Sequence, residues 1–365
     1  MKKKQKQKLS NEEVTPDDYR ERTYLSTAES AVYLKCDVKT IRRLIRLGEV
    51  QSKKSCSGQH RISLEDLKKY ENIPPVELLS DVFTNHGQSG EPVSSNILEI
   101  NGTKQTVFCS DSRDLSNLPD GSVNLMVTSP PYFNAKMYSE GMKDDLGNIH
   151  DMDEWFAEIE KTWAEVYRVL QPGRKAFINI MNLPVRYNKT FRTLNLVGKT
   201  IDVMEKIGFI FKRDIIWHKT NGVKAHFGTY PYPGGILINN MHEFILEFEK
   251  PAPLYYKKYA HLTEEQKNAS LLDKDFWLSL KNSDVWLMKP EKSGDRRNHI
   301  APFPYELPYR IIKAYSFIGE TVLDPFGGSL VALKAAADLG RNGIAYEINP
   351  AIVEKSIRKL ESVDF

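Results

Sequence analysis

Near its C-terminus the chain reads Thr321-Val322-Leu323-Asp324-Pro325-Phe326-Gly327-Gly328-Ser329, a short apolar strand running straight into a glycine loop. A helical pattern follows from Leu330 to Leu339, with Gly340 as its stop, and a second strand from Gly343 ends in the acid Glu347. Strand, loop, helix and strand in this order make a βαβ unit, and two parallel strands joined by a helix need a sheet covered by helices. No other feature restricts the fold as much. An acid about 20 residues beyond the loop is also the spacing that sets a carboxylate against the two hydroxyls of a nucleoside ribose. The loop is not GxGxxG, which disfavours a dinucleotide. From about residue 96 onward short β-type runs alternate with helical patterns, so this whole region is expected to be α/β.

A second segment sharpens the expectation. Val107-Phe108-Cys109-Ser110-Asp111 is a strand ending in an acid, and the strand Val123 to Val127 runs into Thr128-Ser129-Pro130-Pro131-Tyr132. Two prolines at a strand end make a stiff loop that has no backbone donors of its own and presents carbonyl acceptors. A hydroxyl before them and an aromatic ring after them complete a pocket for a planar ring bearing an amino group. A rigid turn around a buried tyrosine would read the same way in isolation. The glycine loop and Glu347 in the same chain weigh against that alternative.

The N-terminal fifth is different in kind. Residues 1–73 hold 17 Lys and Arg against 11 Asp and Glu, while the rest of the chain is slightly acidic. An uneven distribution of this sort suggests a polyanion partner bound partly through the basic segment. Residues 1–22 read as a flexible basic tail that aids solubility. Ser26 or Thr27 caps a short helix that would bury Ala28, Ala31 and Leu34. A second helix from Val38 to Leu47 would turn Ile41, Leu44 and Ile45 inward and stop at Gly48. His60-Arg61-Ile62 follows a polar turn, and Ser63 caps a last helix from Leu64 to Tyr70. Helix, turn, helix, wing and helix over residues 23–73 resemble the excisionase- or MerR-like winged helix-turn-helix. That resemblance implies a second helix in the major groove, with Lys39, Thr40, Arg42, Arg43 and Arg46 on its polar face and His60 and Arg61 on a wing near phosphate. Residues 74–95, rich in Gly, Pro and Ser, read as a linker. No run approaches a membrane span, the basic start leads into polar sequence rather than a signal core, and three dispersed cysteines fit a reducing compartment. A soluble, cytoplasmic protein without membrane contact is expected.

Taken together, Ser129-Pro130-Pro131-Tyr132 and Asp324-Pro325-Phe326-Gly327-Gly328-Ser329 resemble the S-adenosylmethionine-dependent amino-methyltransferases that act on DNA. The amine motif precedes the cofactor loop, as in the permuted beta class. Val166 to Gly173 with the strand Lys175–Met181, the segments Ile216–Lys219 and Asn240–Leu246, and His299 to Pro304 extend the likeness over residues 96–365. The resemblance implies a Rossmann-like sheet with helices on both faces, joined to the small helix-turn-helix domain, with target recognition within residues 183–295. Arg186, Arg192, Lys219, Lys224, His226 and Tyr230 to Tyr232 are the candidates there. Ser129, Pro130, Pro131 and Tyr132 would carry the chemistry. Phe326, Gly327, Gly328 and Ser329 would hold the cofactor, with Asp324 at its amino-acid end, Glu347 on the ribose, Asp111 or its neighbour Asp114 near the adenine edge, and Phe303 and Pro304 in contact.

In one respect the chain departs from the pattern. The family loop usually ends in a glycine where this chain has Leu330, and Gly327 is expected to compensate. No cysteine follows a proline, so methylation at ring carbon is disfavoured, and no metal is called for. Serine in the first motif position is more usual in the cytosine-N4 branch than in the adenine-N6 branch, which stays open. A cofactor-sensing regulator without catalysis is a further alternative, against which the intact amine motif counts, and an RNA or protein methyltransferase is disfavoured by an N-terminal module suited to duplex DNA. The implied partners are double-stranded DNA and a cognate restriction endonuclease.

Overall fold

The computed structural model describes residues 22–34, 38, 41, 45, 50–54, 60–69, 95–133, 145–187, 190–220, 233–234, 238–253, 256–291 and 303–362. The chain divides into two units, residues 1–90 and 91–365.

In the smaller unit, β1 (Tyr24–Ser26), β2 (Ser52–Lys54) and β3 (His60–Ser63) form an antiparallel sheet with β3 in the middle. The helix Thr27–Tyr33 starts at Ser26, whose hydroxyl accepts from Glu29 N at 3.3 Å while the Glu29 carboxylate accepts from Ser26 N at 2.8 Å. This reciprocal cap satisfies two donors that the first turn leaves open. The helix buries Ser30, Ala31 and Tyr33, with Leu34 just beyond it, whereas Ala28 is exposed. At 3.6 residues per turn Ala28 lies well away from that face, which corrects the expected burial. Val38, Ile41 and Ile45 are helical, with Ile41 fully buried in the same small core. Lys39, Thr40, Arg42, Arg43 and Arg46 lie outside the described residues, as do the basic tail through residue 21 and linker residues 74–94. The last helix, Leu64–Lys68, follows Ser63, whose side chain makes no capping bond.

The larger unit is built on nine strands in the order β12-β10-β11-β7-β6-β13-β14-β5-β4. The strands are β4 (Ser95–Ile100), β5 (Thr103–Phe108), β6 (Val123–Thr128), β7 (Leu170–Ile180), β10 (Ile210–Lys219), β11 (His242–Glu249), β12 (Val285–Met288), β13 (Thr321–Asp324) and β14 (Asn342–Tyr346). The central five, β7, β6, β13, β14 and β5, are parallel. β4 and β11 run antiparallel to their neighbours, and β12 lies parallel to β10 at the edge. A separate hairpin joins β8 (Leu183–Tyr187) to β9 (Thr190–Leu194).

Alternation along the buried strands assigns two faces. Met126, Ile178, Leu246 and Leu323 point to one core, shared with the helices Met152–Val169 and Leu196–Ile207. Leu125, Val127, Phe177, Ile245 and Val322 point to the other, shared with the helices Glu306–Tyr315 and Val331–Asp338. Helices on both faces of a mainly parallel sheet are what the βαβ unit required. The central parallel strands end on one edge, and there the order switches: the chain places β6 beside β7, then returns late to insert β13 and β14 between β6 and β5. A crevice at such a switch point is the usual ligand site of this architecture. Among the described residues no helix is long and apolar enough to cross a membrane.

Candidate active site

β6 and β13 are adjacent, with Val322 paired to Leu125 and Leu323 to Met126. Their C-terminal loops therefore leave the sheet side by side, although they are far apart along the chain. A direct bond ties them: Thr128 Oγ1 donates to Asp324 Oδ1 at 2.6 Å. Between the two loops lies a cavity of about 420 Å³, within the size range of small-molecule sites. Ser129, Pro130, Pro131 and Tyr132 line it, as do Asp324, Phe326, Gly327, Gly328, Ser329, Glu347, Asp111 and Phe303. Pro304 is not among the lining residues; it is buried, and its carbonyl accepts from Leu307 N at 3.0 Å to start the helix Glu306–Tyr315. Asp114 also lies off the cavity wall, where its carboxylate closes a turn by accepting from Ser116 N at 2.9 Å.

Three acids end three neighbouring strands of this wall. Asp324, fully buried at the end of β13, also accepts from Phe326 N at 3.1 Å. Burial pushes its carboxyl up to about 7, against the pull of Thr128 and the Phe326 amide and with a small push from Glu347. Glu347, after β14, accepts from Gly328 N at 3.1 Å and from Asn349 N at 2.9 Å. Burial raises its carboxyl as well, opposed by those two amides. Asp111, after β5, is held by Arg113, accepting from its backbone N at 2.9 Å and from Nε at 2.7 Å. Each carboxylate has more acceptor positions than these bonds use, so each can still take a ligand donor.

The glycine loop works differently from the expectation. Gly328 takes φ +48°, a conformation that glycine adopts without cost, and a Cβ there would meet only the Phe326 carbonyl oxygen at 3.8 Å. At Gly327 a Cβ would lie 2.9 Å from Ala345 Cβ, so the bare glycine lets the loop close onto β14 while Gly327 still lines the cavity. Nor does Gly327 compensate for the missing glycine. Leu330 itself adopts the left-handed conformation, φ 58° and ψ 24°, immediately before the helix Val331–Asp338.

Tyr132 belongs to a hydrogen-bonded cluster that the sequence reading did not assemble. Its hydroxyl donates to Glu243 Oε2 at 2.6 Å and accepts from Asn179 Nδ2 at 3.2 Å and from Ser129 Oγ at 3.4 Å. Glu243 Oε2 also accepts from Asn179 Nδ2 at 2.6 Å, and Lys219 Nζ pairs with Oε1 at 2.6 Å. Asn179, Lys219 and Glu243 all line the cavity. Lys219, one of the recognition candidates, thus faces into the cavity beside Glu243. A signal did exist for one of them: Asn179 interrupts the apolar run from Ala176 to Ile180 of β7, where an unpaired polar group would be costly. Of the other recognition candidates, Arg192 is exposed on β9 and Arg186 lies on β8, while Lys224, His226 and Tyr230 to Tyr232 lie outside the described residues.

The donor set fits S-adenosylmethionine. Buried acids suit its cationic amino and sulfonium groups and its ribose diol, and Phe326, Phe303 and Ile348 supply an apolar wall beside Gly328.

Comparison with known proteins points to the same cofactor and to a DNA methylase family. A family model described as DNA methylase matches residues 123–358, and one described as helix-turn-helix domain matches residues 24–72. The type II methyltransferase M.MthZI of Methanothermobacter thermautotrophicus is 33% identical over 266 residues, covering 68% of this chain and 74% of its own. M.MjaI of Methanocaldococcus jannaschii is 33% identical over 293 residues, covering 69% and 91%. Among solved structures, a candidate DNA modification methylase from Thermus thermophilus, complexed with S-adenosyl-L-methionine, is 31% identical with a TM-score of 0.55, covering 69% of this chain and 90% of that one.

Proposed function

The chain belongs to the N6/N4 family of DNA methylases, the S-adenosylmethionine-dependent type II enzymes that modify exocyclic amines, and from this premise we propose that its acceptor is N4 of cytosine. The observation that carries the reading is Ser129 at the head of the amine loop, a neutral hydroxyl hydrogen-bonded to Tyr132 on the cavity wall. S-adenosylmethionine, when bound, supplies a sulfonium methyl electrophilic enough for direct attack by an amine, with no covalent enzyme intermediate. The residues of this chain orient and polarise the acceptor. Ser129 Oγ and the Pro130 carbonyl take the hydrogens of the amine and turn its nitrogen lone pair outward. Pro130 and Pro131 keep the loop rigid and free of competing backbone donors. The Tyr132 ring stacks on the base once it has left the duplex, contributing about 1–3 kcal/mol toward the cost of flipping. Asp324 takes the amino-acid end of the cofactor, Glu347 the ribose and Asp111 the adenine edge. Gly328, Ser329, Phe326 and Phe303 complete that half of the cavity.

The helix-turn-helix domain supplies a second DNA contact through Lys39, Thr40, Arg42, Arg43 and Arg46 in the major groove, with His60 and Arg61 on the wing. In the structure His60 Nδ1 lies 2.7 Å from Ser52 Oγ, and exposed Arg61 is 3.8 Å from Glu29, loosely enough paired to turn to a phosphate. A cognate restriction endonuclease is the partner system.

The test is to incubate the full chain with labelled S-adenosylmethionine and double-stranded DNA, digest the DNA to nucleosides and weigh the products. N4-methylcytosine is expected. N6-methyladenine would overturn the base assignment, and no labelled nucleoside would overturn the proposed action on DNA. Ser129→Ala is expected to abolish transfer while leaving cofactor affinity within about twofold.

A further inference from the structure

We propose that Glu243, held by Lys219, is a positioning residue that fixes the direction of a hydrogen-bond chain and thereby leaves Ser129 Oγ as an acceptor. The inference rests on the reading of Ser129 as the acceptor of the amine's hydrogens.

Direction follows from who can donate. Lys219 Nζ has donors only, so Glu243 Oε1 must accept at 2.6 Å. Asn179 Nδ2, 2.6 Å from Glu243 Oε2, donates as well. Tyr132 has one hydroxyl hydrogen, and a carboxylate oxygen 2.6 Å away claims it. The Tyr132 oxygen is then left with lone pairs only, which accept from Asn179 at 3.2 Å and from Ser129 at 3.4 Å. Ser129 has spent its single hydrogen on Tyr132. Among the described residues nothing donates to Ser129 Oγ, so its lone pairs remain for a ligand in the cavity it lines. The 3.4 Å link is long, as catalytic bonds often are before substrate binds. Every step points the same way: Ser129 gives to Tyr132, Tyr132 gives to Glu243, and Lys219 balances the charge. A serine hydroxyl in isolation could equally present its hydrogen to the amine nitrogen, occupying the lone pair that must attack.

Glu243→Gln tests direction rather than size. Lys219 would draw the amide oxygen and turn the amide NH₂ toward Tyr132. Tyr132 would then donate to Ser129, whose own hydrogen would face the substrate. Turnover and cofactor affinity would be measured in the full chain for Glu243→Gln, Tyr132→Phe, the double variant and Ser129→Ala. Glu243→Gln and Tyr132→Phe are each expected to lower kcat roughly tenfold or more, with the dissociation constant for S-adenosylmethionine within about twofold of the wild type. In the Tyr132→Phe background, Glu243→Gln should cost almost nothing further, because the link it acts through is already gone. Wild-type kcat in either single variant overturns the proposal. So does an undiminished loss from Glu243→Gln when Tyr132 is phenylalanine. Should Glu243→Gln fail to fold, Tyr132→Phe decides alone by the same criterion. Ser129→Ala separates the two readings: if it turns over normally the amine pocket is misassigned, whereas an inactive Ser129→Ala beside a fully active Tyr132→Phe removes only the relay.

Discussion

Asp324 keeps a carboxyl almost wholly buried at the end of β13, and burial raises it from an ordinary 3.8 to about 7. The consequence for stability has a definite sign. A group whose folded pKa lies above its unfolded value stabilises the fold fully below the unfolded pKa, and that contribution is lost as pH rises through the folded one. The unliganded protein should therefore lose stability between about pH 4 and pH 7, by at most about 4 kcal/mol from this group. Asp324→Asn keeps an acceptor for Thr128 and Phe326 and removes the titration. Denaturant unfolding of the two proteins at several pH values should show the variant gaining on the wild type up to about pH 7 and no further. Leu330 is a second residue whose environment decides its conformation. A left-handed leucine costs about 1–3 kcal/mol. Burial of its side chain against Val107, Leu333, Ala345 and Val353 returns about 1.5–3 kcal/mol, so the strain is tolerated.

Loop and strand meet most tightly where Gly327 crosses β14. Gly327 N donates to the Tyr346 carbonyl at 2.8 Å, and the absence of a side chain brings the loop onto Ala345. Gly327→Ala would place Cβ 2.9 Å from Ala345 Cβ and 3.1 Å from Leu330 Cδ2, with two buried elements to displace. A destabilisation of about 1–3 kcal/mol is expected, seen as a lower thermal midpoint of the larger unit. Ala345→Gly in the same chain should recover part of it, since it removes the opposing methyl. The βαβ unit was legible at this scale because strand periodicity, a glycine loop and a terminal acid are all local signals. Helix limits were legible to within a residue or so: the helix expected from Leu330 to Leu339 runs from Val331 to Asp338. The small domain shows where local reading falls short. Ala28 is apolar and lies in the capped helix, yet the small core takes Ser30, Ala31 and Tyr33 instead. Which stripe of a short helix faces inward depends on what it packs against.

For the whole molecule, the consequential feature is a helix-turn-helix domain and a DNA methylase domain on one chain. The proposed DNA contact of the former would raise the effective concentration of the catalytic unit on DNA. Phosphate contacts release counterions, so each one lost should flatten the salt dependence of binding by about one unit of log–log slope. Removal of residues 1–73 should weaken DNA binding and lower that slope while leaving S-adenosylmethionine affinity unchanged. Titrations of both proteins across a salt series measure this, and coincident curves would show that the domain takes no part in holding DNA.

By itself the sequence determined the parallel α/β sheet, the two loops and the acids that end their strands. These depend on residues close together in the chain, where steric and hydrogen-bonding preferences act without help from the rest. Tertiary structure decided what no local pattern encodes. It inserted β13 beside β6 so that Thr128 could reach Asp324, turned Lys219 inward, and gathered Asn179 from β7, Glu243 from β11 and Tyr132 from the loop after β6 around one carboxylate. Those contacts join residues brought together only by sheet order, and sheet order is set by the packing of the whole core.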